Sequence, residues 1–138
     1  MDARALDFWL GEWDCAWADG TGTNTVTREL DGRVVIERFR AHDPDAFDGM
    51  SVSVFDEREG WRQTWVDSNG GYWHLVGSQL VDGSVAFSTP GLADEDRTVK
   101  RMVFSAVTAE GFDWRWEASP DGEGWRERWA IRYTRRHR

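Results

Sequence analysis

Apolar and polar residues alternate along most of the chain, in short segments separated by turn-forming residues. Trp13, Cys15 and Trp17 alternate with Asp14 and Ala16, and a period of two places such side chains on one face of a β-strand. The separators are pairs such as Asp-Gly, Glu-Gly and Asn-Gly, which favour tight hairpins. The pattern predicts about ten strands, near residues 12–19, 22–30, 33–41, 49–56, 61–68, 72–80, 84–89, 97–107, 111–118 and 124–135.

The N-terminal segment has a different pattern. Residues 2–10 predict a short helix, which ends at Gly11. Trp9, Trp13 and Trp17 are spaced by four and would share one face of a longer helix. Because the period changes at Gly11, we assign Trp9 to the short helix and the other two indoles to the inner face of the first strand.

Antiparallel strands joined by tight turns must hide their edges, either by closing into a barrel or by packing as two sheets. The even rhythm and the short turns favour a closed up-and-down barrel over a Greek-key sandwich. We therefore predict an all-β fold, a closed antiparallel barrel of about ten strands with the short helix closing one end. It forms a single domain over residues 1–138. Two longer loops, 42–48 and 91–97, would lie at the barrel mouth and could act as lids.

Charge and composition narrow the function. The net charge of −8 disfavours nucleic acid as a partner, and the basic tail 135–138 reads as a solvated chain end. No run of about twenty apolar residues occurs, so we expect no membrane partner and a cytoplasmic location. The single cysteine, Cys15, excludes an internal disulfide and is expected to be buried. The sequence does not decide between a monomer and a homodimer.

Ten tryptophans are the unusual number in this composition. Burying one indole removes about 150–250 Å² from water, worth about 4–6 kcal/mol at about 25 cal/mol per Å². So many indoles cannot all face solvent, nor can they all fill a small core without leaving irregular space. A cavity walled by indoles accommodates them.

Three stretches carry a resemblance to a known group. Gly11-Glu12-Trp13, after the short helix and at the start of the first strand, resembles the Gly-x-Trp signature of lipocalins and other calycins. With the opening LDFWLGEWD, the stretch at 61–71 and the close at 116–125, the chain resembles a bacterial calycin-like family of unknown function.

This resemblance implies that the Trp13 indole packs at the closed end beneath an arginine from a late strand, with Arg128 and Arg132 as candidates. The related nitrobindins hold haem through a histidine near the C-terminus. His137 lies in the tail without the surrounding nitrobindin pattern. We therefore predict no cofactor.

Strand parity assigns the barrel lining, because every second residue points inward. Inward aromatic and polar residues together make up a ligand pocket rather than a dry core. The candidate ligand-binding residues are Trp17, Asn24, Glu37, Ser53, Gln63, Trp65, Asp67, Arg101 and Trp129. A buried Glu37 needs a partner or a raised pKa, and Arg101 and Arg115 are its expected counter-charges. The competing interpretation is that these polar residues point outward at a bulge, or form a satisfied internal network without a ligand.

The stretch from Phe112 to Glu117 is the hardest to orient, because one parity is aromatic and the other charged. The pattern places Trp114 and Trp116 inside, with Arg115 and Glu117 in solvent. The resemblance favours the opposite orientation for Glu117, so the sequence leaves this point open.

Two main functions fit these residues. The first is binding of a small, mainly apolar or aromatic molecule in the cavity. The alternative is a cofactor-free enzyme of cyclase, isomerase or hydratase type, with Glu37 or His74 as the acid/base group. An oligosaccharide site ranks third, since sugar platforms are usually flat and exposed. No histidine, cysteine and carboxylate spacing matches a metal site, so we predict no metal.

Overall fold

Ten antiparallel β-strands make up the fold of the computed structural model, which describes residues 1–91 and 97–137. Part of the predicted lid at 91–97 therefore lies outside the described residues. The strands are β1 Gly11–Trp17, β2 Gly20–Glu29, β3 Val34–Ala41, β4 Phe47–Asp56, β5 Gly60–Asp67, β6 Tyr72–Gln79, β7 Val85–Ser88, β8 Val99–Ser105, β9 Gly111–Ser119 and β10 Arg126–Arg135.

The strands form a closed barrel in which each pairs with its neighbours in the chain and β1 also pairs with β10. Closure pairs Trp13 with Arg135 and Cys15 with Tyr133. Every strand is thus paired on both sides, which removes the exposed edges of an open sheet. The prediction of an all-β, closed up-and-down barrel is confirmed. The described residues contain no helix long and apolar enough to cross a membrane.

The N-terminal segment differs from the prediction. Instead of a helix over 2–10, the structure has a single 3-10 turn at Asp7–Trp9, preceded by isolated turns. Its backbone bonds span three residues, as from Trp9 N–H to the Leu6 carbonyl. So short a segment gains little from helical hydrogen bonds. Burial of Leu6 and Trp9 in the core decides its path instead.

These N-terminal residues pack into one end of the barrel, which we call the closed end. The Trp9 ring lies 5.2 Å from the Phe104 ring, and Phe8 contacts both Phe104 and Phe112 edge-on. The hairpin turns after β2, β4, β6 and β8 lie at the same end. The other end, which we call the mouth, carries the turns after β1, β3, β5, β7 and β9.

The arginine over Trp13 is Arg135, and neither Arg128 nor Arg132 takes this position. The Arg135 guanidinium lies 4.2 Å from the centre of the Trp13 ring. Closure of the barrel places Arg135 directly opposite Trp13, whereas Arg132 pairs with Asp113. The implied contact therefore exists, with a different residue.

Candidate functional site

The mouth half of the barrel encloses a cavity of about 170 Å³. Its wall is built mainly by five half-buried indoles, from Trp65, Trp73, Trp114, Trp116 and Trp129. Phe39 and Phe47 add two phenyl rings near the mouth. Cavities of this kind, apolar with a few polar groups, are the usual sites of small-molecule binding.

The indoles meet at steep angles. Trp73 and Trp116 lie 5.6 Å apart at 61°, and Trp114 and Trp129 lie 5.6 Å apart at 87°. Such edge-to-face pairs are favourable because the positive edge of one ring meets the negative face of another. The cavity consequently has adjoining aromatic walls rather than one flat platform.

Glu37 is the polar centre of the cavity floor, where the buried residues Leu75, Met102 and Tyr133 also lie. Its side chain comes from the middle of β3 and points inward. Ser51 Oγ donates to Oε1 at 2.6 Å, and Asn24 Nδ2 donates to Oε2 at 2.7 Å. Burial raises the pKa of Glu37, and these two hydrogen bonds oppose the shift only in part.

The floor network continues from Glu37 to β1 and β10. Asn24 Nδ2 also donates to the Tyr133 hydroxyl at 3.0 Å, and Tyr133 is hydrogen-bonded to the thiol of Cys15. Burial raises the pKa of both the phenol and the thiol above their ordinary values. Both groups therefore stay neutral near pH 7, and Cys15 is the buried thiol that the sequence predicts.

Asp67 lines the mouth side of the cavity and fixes the Trp65 indole. Trp65 Nε1 donates to Oδ2 at 2.9 Å, while the backbone N–H groups of Asn69 and Gly71 donate to Oδ1. Desolvation opposes ionisation, but these three donors together lower the pKa of Asp67. The carboxylate thus serves as both a turn cap and an anchor for a cavity wall.

Other predicted site residues surround the cavity without lining it. Ser53 and Gln63 are buried and joined by a hydrogen bond from Gln63 Nε2 to Ser53 Oγ at 2.9 Å. Trp17 packs edge-on against Trp129 at 5.2 Å. Asn24 lies outside the lining and is hydrogen-bonded to Glu37, which lines the cavity. Of the predicted binding residues, the structure brings Glu37, Trp65, Asp67 and Trp129 together in the cavity wall.

Arg101 and Arg115 do not reach Glu37, which corrects the expectation that they are its counter-charges. Both lie on the outer face and bind Glu117, Arg101 Nε at 2.6 Å and Arg115 Nε at 3.1 Å. Trp125 stacks on the Arg101 guanidinium at 3.8 Å. Glu117 points outward as the pattern predicts, but the two arginines bury it almost completely.

The histidines lie away from the cavity. His74 sits on β6 between Trp73 and Leu75, and its exposed side chain is on the outer face. It is not placed to exchange protons inside the barrel. His137 lies near the closed end, where it pairs with Glu110 at 2.7 Å. Among residues 1–91 and 97–137, no group of three or more histidines, cysteines and carboxylates could hold a metal ion.

Trp73, Trp114 and Trp116 line the cavity but are not among the predicted ligand-binding residues. A usable signal existed for each: Trp73 shares its parity with Leu75, and the aromatic parity of β9 places Trp114 and Trp116 inside. In this barrel the indoles make most of the wall.

No protein-family model matches the chain, and no curated protein matches it either.

Proposed function

We propose that the protein binds a small, mainly apolar or aromatic molecule in the indole-walled cavity. The observation that carries this proposal is the cavity itself, with five indoles as walls and Glu37 as the polar group on its floor. Aromatic walls supply favourable apolar contacts, and one or two polar groups orient a ligand.

We also propose kinship with the calycin-like barrels. The closed ten-stranded barrel is compatible with that fold. The Gly-x-Trp residues open β1, and an arginine from the last strand stacks on Trp13 as the resemblance implies.

Filling the cavity tests the binding function. Leu75 is fully buried and lines the floor, so Leu75→Phe places a larger side chain in the ligand space. Its neighbour Val76 points outward and is exposed, which makes Val76→Phe the matched control. Quenching of intrinsic tryptophan fluorescence by a panel of small apolar and aromatic compounds is the measurement.

We expect at least one compound to quench the wild type and Val76→Phe equally, and Leu75→Phe by at least about tenfold less at equal concentration. Circular dichroism confirms that both variants fold. If Leu75→Phe folds and binds as the wild type does, the cavity is not the binding site.

A cofactor-free enzyme is the second candidate, and the raised pKa of Glu37 favours it. A carboxyl group with a raised pKa keeps its proton to a higher pH and can donate it to a bound substrate. Glu37→Gln keeps the side-chain shape and removes the acid. For any substrate that turns over, we expect kcat to fall at least about a hundredfold in this variant; an unchanged kcat would remove Glu37 as the acid.

A further inference from the structure

The charged groups that line the cavity are both acidic. Among the described residues these are Glu37 on the floor and Asp67 near the mouth. The nearby arginines of β8 and β9 bind Glu117 on the outer face, and Lys100 is outside the lining, with Nζ donating to Thr98. Among the described residues that line the cavity, an anionic ligand would therefore meet two carboxyl groups and no balancing cation.

The aromatic walls also favour a cationic ligand over an anionic one. The face of an indole carries negative potential, and cations bind over it. Trp73 with Trp116, and Trp114 with Trp129, meet at steep angles, so adjoining faces can enclose one group. Cages of this type are a known way to hold organic ammonium ions.

Some hydrogen-bond acceptors in the barrel interior have no donor. Glu37 receives donors from Ser51 and Asn24, and no arginine, lysine or histidine among the described residues contacts it. The oxygens Asn24 Oδ1 and Gln63 Oε1 are buried without a partner. An unpartnered donor, Trp9 Nε1, lies at the closed end. Asn24 and Gln63 lie outside the lining, so the carboxyl groups that a cavity ligand meets are those of Glu37 and Asp67.

We propose that the ligand carries an organic ammonium group, which lies against Glu37 and between the indole walls. The ammonium supplies a positive charge that complements the carboxyl groups of the lining, while the rest of the ligand is apolar or aromatic. This inference rests on the proposed binding function and narrows the class of its ligand.

The proposal has a defined pH dependence. Glu37 is faced by two other titratable groups, the Cys15 thiol from β1 and the Tyr133 phenol from β10; burial raises the pKa of both. Asp67 from β5 has a lowered pKa and stays ionised. Burial raises the pKa of Glu37, so Glu37 loses its proton as the pH rises through that value. An ammonium ligand binds the ionised form better and must bind more tightly at higher pH.

Three probes of similar size separate charge from apolar contact: 2-phenylethylammonium, 2-phenylethanol and phenylacetate. Isothermal titration calorimetry with the full chain gives their dissociation constants at about pH 5 and about pH 8, a range in which the first stays cationic and the last anionic. At the higher pH we expect the ammonium to bind at least about tenfold more tightly than the alcohol, and phenylacetate to bind most weakly. As the pH rises through the range in which Glu37 loses its proton, the affinity for the ammonium should rise while that for the alcohol stays constant.

Glu37→Gln is the matched variant, with Glu59→Gln as control because Glu59 is exposed in the turn after β4 at the closed end and loses the same charge. We expect Glu37→Gln to abolish the preference for the ammonium over the alcohol and the pH dependence of ammonium binding. Glu59→Gln should behave as the wild type does. If Glu37→Gln does not fold, the wild-type pH series alone decides.

Equal or tighter binding of the alcohol, or an affinity for the ammonium that falls as the pH rises, would overturn the inference and leave the binding function standing. Calorimetry that detects none of the three probes would count against both proposals. If the compound panel quenches fluorescence but includes no ammonium compound among the binders, the cavity binds ligands of another class.

Discussion

At the residue scale, Arg135 joins three parts of the closed end. Its guanidinium stacks on Trp13, Nη1 donates to the Leu10 carbonyl at 2.8 Å, and Nε donates to the Ala109 carbonyl at 2.9 Å. The planar fork of five donors allows these contacts to form together, whereas an ammonium is a single point of charge.

Replacing Arg135 with lysine tests this role. We expect Arg135→Lys to lower the free energy of unfolding by about 1–3 kcal/mol, because the stacking and at least one hydrogen bond from a charged donor are lost. Arg136→Lys is the control, since Arg136 makes an exposed pair with Asp14 and such pairs contribute about 0–1 kcal/mol. Urea denaturation of both variants is the measurement; equal losses would contradict the role of Arg135.

Alternation along β10 already favours Arg135 over Arg128 and Arg132. Arg135 shares the inward parity of Ile131 and Tyr133, whereas the other two arginines have the outward parity. The resemblance suggested a late arginine without this test of parity. What the sequence does not contain is the register that places Arg135 directly opposite Trp13, because this pairing joins residues more than a hundred positions apart.

Burial of Glu117 could not be predicted for a related reason. Alternation correctly places it on the outer face, but whether an outer residue is exposed depends on its neighbours across the sheet. Arg101 lies directly opposite Glu117, and the ring of Trp125 covers the Arg101 guanidinium. By contrast, the inward position of Glu37 follows from alternation alone.

At the scale of elements, period-two alternation and turn residues account for all ten strands, and the observed strands match the predicted ones closely. Alternation and turn residues each involve only neighbouring positions in the chain, so both can be recognised in the sequence. The N-terminal segment shows the limit: its apolar spacing fits a helix, but docking into the barrel end gives only the 3-10 turn Asp7–Trp9. Tertiary burial outweighs helix propensity in so short a segment.

The β4–β5 pair shows how one strand shapes the cavity wall of the next. Gly49 on β4 lies beneath the Trp65 indole of β5, and a Cβ at this position would overlap with the ring. The absence of a side chain at Gly49 therefore allows the indole to reach its place beside Asp67.

Gly49→Ala should displace the Trp65 indole. We expect a changed near-ultraviolet circular dichroism spectrum, at least about threefold weaker binding of any cavity ligand, and a loss of about 1–3 kcal/mol in stability from overpacking. Gly124→Ala is the control, because a Cβ there meets no atom within 4 Å. An unchanged indole spectrum in Gly49→Ala would show that β4 does not constrain Trp65.

At the scale of the whole molecule, the two ends of the barrel have different compositions. The closed end holds Leu6, Trp9, Phe104 and Phe112 in dense contact, whereas the mouth end holds the cavity and the polar floor. A tightly packed end can hold the strands in register while the other end keeps open space. Stability and binding should then respond to different substitutions.

Leu6→Ala tests this separation. Leu6 is fully buried, so its truncation should cost about 2–5 kcal/mol of unfolding free energy. Leu30→Ala is the control, because Leu30 lies at the same end but is 75% exposed; its truncation should cost less than about 0.5 kcal/mol. Urea denaturation measures both.

The affinity of the folded Leu6→Ala protein for a cavity ligand should stay within about twofold of the wild type, because distant sites act independently. Leu75→Phe should show the reverse, with binding lost and a smaller change in stability, since it fills space at the other end. A large loss of affinity in Leu6→Ala, measured where the protein is still fully folded, would show that packing at the closed end sets the shape of the cavity. The barrel would then behave as one coupled unit rather than as a rigid base with a separate binding end.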